Sequence, residues 1–148
     1  MDLEPKRTPA GWRAAAWSRA VRPGRFTRAL LDGRPLLLGR SKAGAAYALS
    51  DLCPHRGAAL STGRARVEPD GRESVECPYH LWRFTHDGAC VAIPGREAAP
   101  GVRAPSWPLT ERDGRVWIWT RAGPPRGEPP QGKPAPWLAQ LLGRPPSS

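Results

Sequence analysis

Two short stretches constrain this chain more than any others: CPH at residues 53–55 and CPYH at residues 77–80. Only three cysteines and three histidines occur in 148 residues, and these stretches hold two of each. Thiolate and imidazole are the ligands that soft and borderline metals prefer. One pair is spaced Cys-x-His and the other Cys-x-x-His, with 21 residues between His55 and Cys77. Pro54 and Pro78 each follow a cysteine directly. A proline there fixes φ and removes a donor N–H, which stiffens each loop beside its candidate ligand. Gly57 lets the backbone turn sharply after the first pair. Brought together, Cys53, His55, Cys77 and His80 suit either a tetrahedral zinc ion or a [2Fe–2S] cluster in which two histidines replace two cysteines.

Around these stretches the punctuation is that of an all-β domain. Short apolar pieces such as RPLLLGR, AAYALSD, ESVECP, ACVAIPG and RVWIWT recur between turn signals. Four Asp-Gly pairs lie between them: Asp32-Gly33, Asp70-Gly71, Asp87-Gly88 and Asp113-Gly114. Asp-Gly supplies the positive φ angles of tight hairpins, so WRFTHDGACVAI and LTERDGRVWIWT each read as one hairpin. AAAWSRAV reads equally as one helical turn or as an opening strand. From residue 122 the character changes, with eight prolines among the last 27 residues. That composition predicts an extended tail without a fold of its own. Trp137-Leu138 and Leu141-Leu142 read as one apolar turn within it, suited to packing back on the domain or on a partner. The organisation is a leader at 1–11, one domain at 12–121 and a proline-rich tail at 122–148.

The formal net charge is +10, almost all of the positive charge being Arg. The arginines are spread over the whole length beside abundant Pro, Ala and Gly. This favours compositional bias over nucleic-acid binding, while a basic face for an acidic redox partner stays open. No apolar run approaches the ~20 residues of a membrane span, and the N-terminus lacks the apolar core of a secretory signal. A soluble cytoplasmic protein without a disulfide framework is expected. Cys90, in the strand-like ACVAI, reads as a buried small apolar side chain, and His86, in the turn THDG, as a solvated one.

CPHRGAALSTG followed by CPYHLWRF resembles the Rieske [2Fe–2S] signature. More narrowly, it resembles the N-terminal Rieske domain of the large subunit of ring-hydroxylating non-haem iron oxygenases. The resemblance runs from about Trp12 to Thr120, since WRAAAWSRAV, GACVAIP and RVWIWT also match the family's strands. It implies a Rieske-type antiparallel β-sandwich with a small cluster-binding subdomain. It implies further that Cys53 and Cys77 hold the inner iron and His55 and His80 the outer one. The unequal spacings then let two loops approach from two sides, each delivering one sulfur inward and one imidazole outward.

Neutral imidazole ligands raise such a centre's potential, over a range of about −150 to +300 mV. Respiratory-chain Rieske proteins add a disulfide between the loops and a hydroxyl donor near the sulfides. The matching positions here are Ala58 and Tyr79 for the cysteines and Trp82 for the hydroxyl, which predicts a low potential. The family usually has Gly after the second His, where this chain has Leu81. If the position needs positive φ, Leu there costs on the order of 1 kcal/mol.

The implied function is one-electron transfer, as the Rieske part of an oxygenase-like system. A reductase or ferredoxin would be the donor and a mononuclear iron the acceptor, with neither nucleic acid nor membrane as partner. That acceptor iron usually takes two His and one carboxylate. Only His86 remains uncommitted, so the iron is expected on another chain or on a further domain beyond the proline-rich segment. Two alternatives stand beside this: a self-sufficient Rieske ferredoxin, and a binding module that has lost its cluster.

Overall fold

The computed structural model describes residues 11–55, 57–95 and 101–130. Three sheets are built from ten strands, and every ladder between named strands is antiparallel. The first sheet has the order β1-β10-β9, from Trp12–Trp17, Arg115–Trp119 and Leu109–Arg112. The second is β2-β3-β4, from Thr27–Leu31, Arg34–Arg40 and Ala46–Ser50. The third is β5-β6-β7-β8, from Arg64–Val67, Glu73–Glu76, Arg83–Thr85 and Cys90–Ala92. AAAWSRAV turns out to be both things its sequence allowed: β1 passes directly into a 3-10 turn at Ser18–Ala20. The expected all-β antiparallel sandwich is what forms.

The second sheet is the middle layer, and this explains the uninterrupted apolar run in RPLLLGR. Leu36, Leu37 and Leu38 are all fully buried. Leu36 and Leu38 face the first sheet, in a core with Ala29, Val116 and Ile118. Leu37, pointing the other way with Leu49, joins a core with Val75 and Phe84 of the third sheet. A strand covered on both faces reads as a continuous apolar run, not as an alternation. By contrast, RVWIW alternates: Val116 and Ile118 point inward, while Trp117 and Trp119 point outward onto Trp12, Ala14 and Trp17. Arg40 ties β3 to β9 by a two-pronged pair with Glu111 (2.6 and 3.0 Å).

Two of the four Asp-Gly pairs make the tight two-residue hairpin. Asp32-Gly33 and Asp113-Gly114 have positive φ at both residues and join β2 to β3 and β9 to β10. The other two lie in the longer β5–β6 and β7–β8 connections. The described start of the proline-rich segment, residues 122–130, has no helix or strand and lies against the first sheet. The Trp12 indole N–H donates to the Gly127 carbonyl (3.1 Å), and Arg112 reaches Glu128 (2.9 Å) and the Pro129 carbonyl (3.1 Å). The apolar turn read at Trp137-Leu138 and Leu141-Leu142 lies outside the described residues, as does most of the leader. Among the described residues no helix is long and apolar enough to cross a membrane.

Candidate metal centre

The two Cys/His stretches lie on two loops at one end of the third sheet. The first leaves β4 and runs to β5. The second joins β6 to β7. Both close by the same rule. The Cys53 amide donates to the Ala58 carbonyl (2.7 Å), and the Cys77 amide donates to the Trp82 carbonyl (2.8 Å), five residues on in each case. In both loops the fourth residue after the cysteine has left-handed backbone: Gly57 at φ +75° and Leu81 at φ +59°. The position occupied by Leu81 therefore does need positive φ. Its histidine stands third after the cysteine, whereas in the first loop it stands second.

The first loop is anchored by a buried carboxylate. Asp51 is fully buried. It accepts hydrogen bonds from the Ser61 amide and hydroxyl, each at 2.6 Å, and pairs with the Arg28 guanidinium at 3.0 Å. Both ends of the loop are thus tied together beneath Cys53. Gly63 then lets the chain pass β6 so closely that a Cβ there would lie 1.8 Å from the Glu76 carbonyl oxygen. The second loop is framed by a set of charges across β6 and β7. Glu68 accepts from Ser74 (2.6 Å) and Arg83 (2.8 Å), and Arg83 also faces Glu76 at 3.7 Å. Burial alone would raise the Glu68 carboxyl, but the bonds from Arg83 and Ser74 outweigh it and hold it below the usual range.

The four candidate side chains come together in two layers. Cys53 and Cys77 are buried in the apolar core beside Leu60, Val75, Trp82 and Phe84. Burial pushes the Cys77 thiol up to about 11; the Tyr79 backbone amide works against this, and the neighbouring Cys53 thiol adds to it. His55 and His80 are exposed above them, ring centroids 4.9 Å apart. The Trp82 indole lies parallel to the His55 ring, 4.4 Å between centroids and 11° between planes.

This arrangement fits an iron–sulfur group. Burial disfavours the charged form of Cys77, and a cationic centre bound there would offset this and release its proton. Thiols inside and imidazoles outside form two separate pairs, which is the donor set of a two-iron group with mixed ligation. Ala58 and Tyr79 carry no thiol, and Cys53, Cys77 and Cys90 are all free of disulfides.

Comparison with known proteins agrees. The model of the Rieske [2Fe-2S] domain matches residues 11–108. The chain belongs to the Rieske [2Fe–2S] domain family. Membership indicates a [2Fe–2S] cluster as the cofactor. Cholesterol 7-desaturase of Bombyx mori is 38% identical over 112 residues, 75% of this chain and 24% of the desaturase. Dicamba monooxygenase, in a crystal structure with 3,6-dichlorosalicylic acid, is 36% identical with a TM-score of 0.65, covering 74% of this chain and 31% of that one. The putative NADH-dependent nitrite reductase small subunit of Mycobacterium tuberculosis is 28% identical with a TM-score of 0.65, covering 76% of this chain and 96% of that one. This Rieske domain spans only about a quarter to a third of the length of the curated relatives it matches first. Some relatives are named as the iron-sulfur subunit or oxygenase component of multi-component systems.

Two remaining residues differ in their outcomes. Cys90 is half-buried against the cysteine-bearing core, close to its reading as a small apolar side chain. His86 is not a solvated turn residue: it is half-buried and stacked on Tyr47, 3.6 Å between centroids and 11° between planes. Its turn was legible, but the tyrosine lies 39 residues away in sequence and left no local signal. Asp51 and Ser61 were equally silent, because either residue alone reads as an ordinary polar loop position.

Proposed function

We propose that this chain is a one-electron transfer domain, the Rieske part of a ring-hydroxylating-oxygenase-like system. Cys53 and Cys77 hold the inner iron and His55 and His80 the outer one. The observation that carries this reading is the split in burial, with both thiols inside the core and both imidazoles at the surface. When bound, the cluster supplies a one-electron couple. The protein's own residues do the rest. The core around Cys53 and Cys77 keeps water from the sulfurs. His55 and His80 bring the ligand set to the surface, which shortens the path to a partner. Trp82 holds the His55 ring by stacking. With neither a disulfide between the loops nor a hydroxyl at Trp82, the potential lies low in the range of such centres.

The domain boundaries that suit this role are 12–121 for the electron-transfer unit, flanked by 1–11 and 122–148. The donor is a reductase or ferredoxin and the acceptor a mononuclear iron held by other residues than these, in the cytoplasm. A second reading, a self-sufficient Rieske carrier, is favoured by the near-complete coverage of the nitrite reductase small subunit. An anaerobic dithionite titration followed by absorption tests the shared core of both. Uptake of one electron per chain with bleaching of a visible band supports it. A colourless protein after reconstitution with iron and sulfide contradicts it and favours a cluster-free binding module. Co-purification with a larger catalytic subunit separates the first reading from the second.

A further inference from the structure

An antiparallel sheet in a sandwich commonly turns one face to the core and the other to water. The first sheet does not follow this pattern. Its inner face carries Val116 and Ile118, yet its outer face is apolar too. The pairing register puts Trp12 and Trp17 of β1, Trp117 and Trp119 of β10, and Arg112 of β9 on that outer face. The four tryptophans are nonetheless at most 8% exposed, so the face is covered.

Among the described residues, the proline-rich segment 122–130 reaches across it. Its start is fixed where it leaves β10: the Thr120 amide and hydroxyl both donate to the Gly11 carbonyl (3.1 and 2.8 Å). Further on, the Gly127 carbonyl accepts from the Trp12 indole N–H on β1, and the Pro129 carbonyl from Arg112 on β9. These are the two edge strands of the sheet, with β10 between them. Pro129, alone among residues 122–130, is buried.

The chemistry of the two partners is complementary. A proline has no N–H, so a proline-rich stretch offers more carbonyl acceptors than donors. The face offers the reverse, since indole N–H and guanidinium groups only donate. The Trp119 indole N–H, buried in the same cluster, has no acceptor among the described residues and is a further donor of this kind. Aromatic-lined surfaces take up proline-rich ligands in this way.

We propose that the outer face of the first sheet is a recognition surface for a proline-rich segment, occupied in cis by residues 122–130. This stands apart from the electron-transfer reading, because none of these residues lies on the Cys/His loops. The contacts are unequal. Glu128 is 80% exposed, so its pair with Arg112 adds little. The bonds from Trp12 and Arg112 to main-chain carbonyls, together with the buried Pro129 ring, carry the docking.

Limited trypsin digestion of the full chain tests this. Arg121 and Arg126 are the cleavable sites of the segment, because Lys133 and Arg144 each precede a proline. Cleavage of a docked segment follows the population of its open form. Mass spectrometry follows release of the fragments that begin at Ala122 and Gly127, each rate divided by that of a free peptide of the same sequence. Arg112→Gln should speed release about fivefold, the factor for one lost hydrogen bond. Trp12→Phe, which keeps a ring but loses the N–H, and Pro129→Ala should act in the same direction. Glu128→Gln should stay within about twofold of the parent, as should Arg13→Gln, which breaks the Arg13–Asp32 pair elsewhere on the sheet. No acceleration in Arg112→Gln or in Pro129→Ala would overturn the proposal. So would an equal acceleration in Arg13→Gln, or an equal rise in cuts within residues 12–120, since either means general loosening and not release of the segment. If Trp12→Phe does not fold, the other two variants decide.

Discussion

Gly57 and Leu81 occupy the same place in two loops of the same construction. Each stands four residues after a buried cysteine, each has left-handed backbone, and each is followed by the carbonyl that accepts that cysteine's amide hydrogen bond. Glycine adopts this conformation freely, whereas an L-side chain there costs on the order of 1 kcal/mol. A Cβ at Gly57 would meet nothing within 4 Å, so the demand at that position is conformational and not steric. The second loop carries at Leu81 a strain that the first avoids.

Leu81→Gly should therefore raise the unfolding free energy by up to about 1 kcal/mol, the left-handed penalty less the entropy that glycine loses on folding. It should also raise the iron content per chain. Denaturant unfolding and iron analysis of the purified variant check both. If neither changes, the second loop tolerates Leu at positive φ without cost.

Asp51→Ala leaves two half-buried Ser61 donors without an acceptor and removes the partner of Arg28. The loss should be about 2 kcal/mol, the order found when donors lose a charged acceptor, while Arg28, more than half exposed, stays hydrated. Asp51→Asn keeps an acceptor oxygen and should lose less. Because this carboxylate ties both ends of the first loop, iron content should fall in the same order. A change within about 0.5 kcal/mol for Asp51→Ala would show that Asp51 does not anchor the loop.

Gly63→Ala would place a methyl group 1.8 Å from the Glu76 carbonyl oxygen, with backbone on both sides of the clash. Overpacking of this kind costs about 1–3 kcal/mol. Thermal unfolding should show a clear loss for this variant. A melting temperature equal to the parent's would mean that the loop and β6 can separate.

Stability should depend on pH through His86. Burial lowers its pKa from 6.5, with Glu73 and Asp87 pulling the other way. The folded protein thus prefers the neutral ring more than the unfolded chain does. Its contribution is fully present above the unfolded value of 6.5 and is lost as the pH falls below it. The carboxyls of Glu68, Asp87 and Glu111 are also held low, and their contribution is lost at more acidic pH. Denaturant midpoints at pH 7.5 and about 5.5 should differ for the parent and differ less for His86→Phe, which keeps the ring on Tyr47. Parallel behaviour of the two proteins would contradict this.

Much of the site was legible because its residues are local. Cys53 with His55 and Cys77 with His80 each lie within four consecutive positions, with proline and turn residues beside them. RPLLLGR and RVWIWT were legible as strands because apolar runs and alternation are properties of a short window. What could not be read depends on residues meeting from distant parts of the chain. Asp51 meets Arg28 and Ser61, Glu68 meets Arg83, and His86 meets Tyr47. Each of these residues has a bland local reading, and only folding gives it a partner. The shared closure of the two loops was hidden for a different reason. Their histidines sit at different offsets, which masks the common place of Gly57 and Leu81.

In the proposed reading, Cys53, Cys77, His55 and His80 hold a [2Fe–2S] cluster with mixed ligation. The most direct measurement is the electron paramagnetic resonance spectrum of the protein reduced with dithionite, recorded beside that of His80→Cys. Mixed ligation should give a rhombic signal whose average g-value is low, as neutral imidazoles on one iron produce, and that signal should be lost or changed in the variant. An average g-value like that of an all-thiolate cluster, or a signal unchanged by His80→Cys, would contradict it.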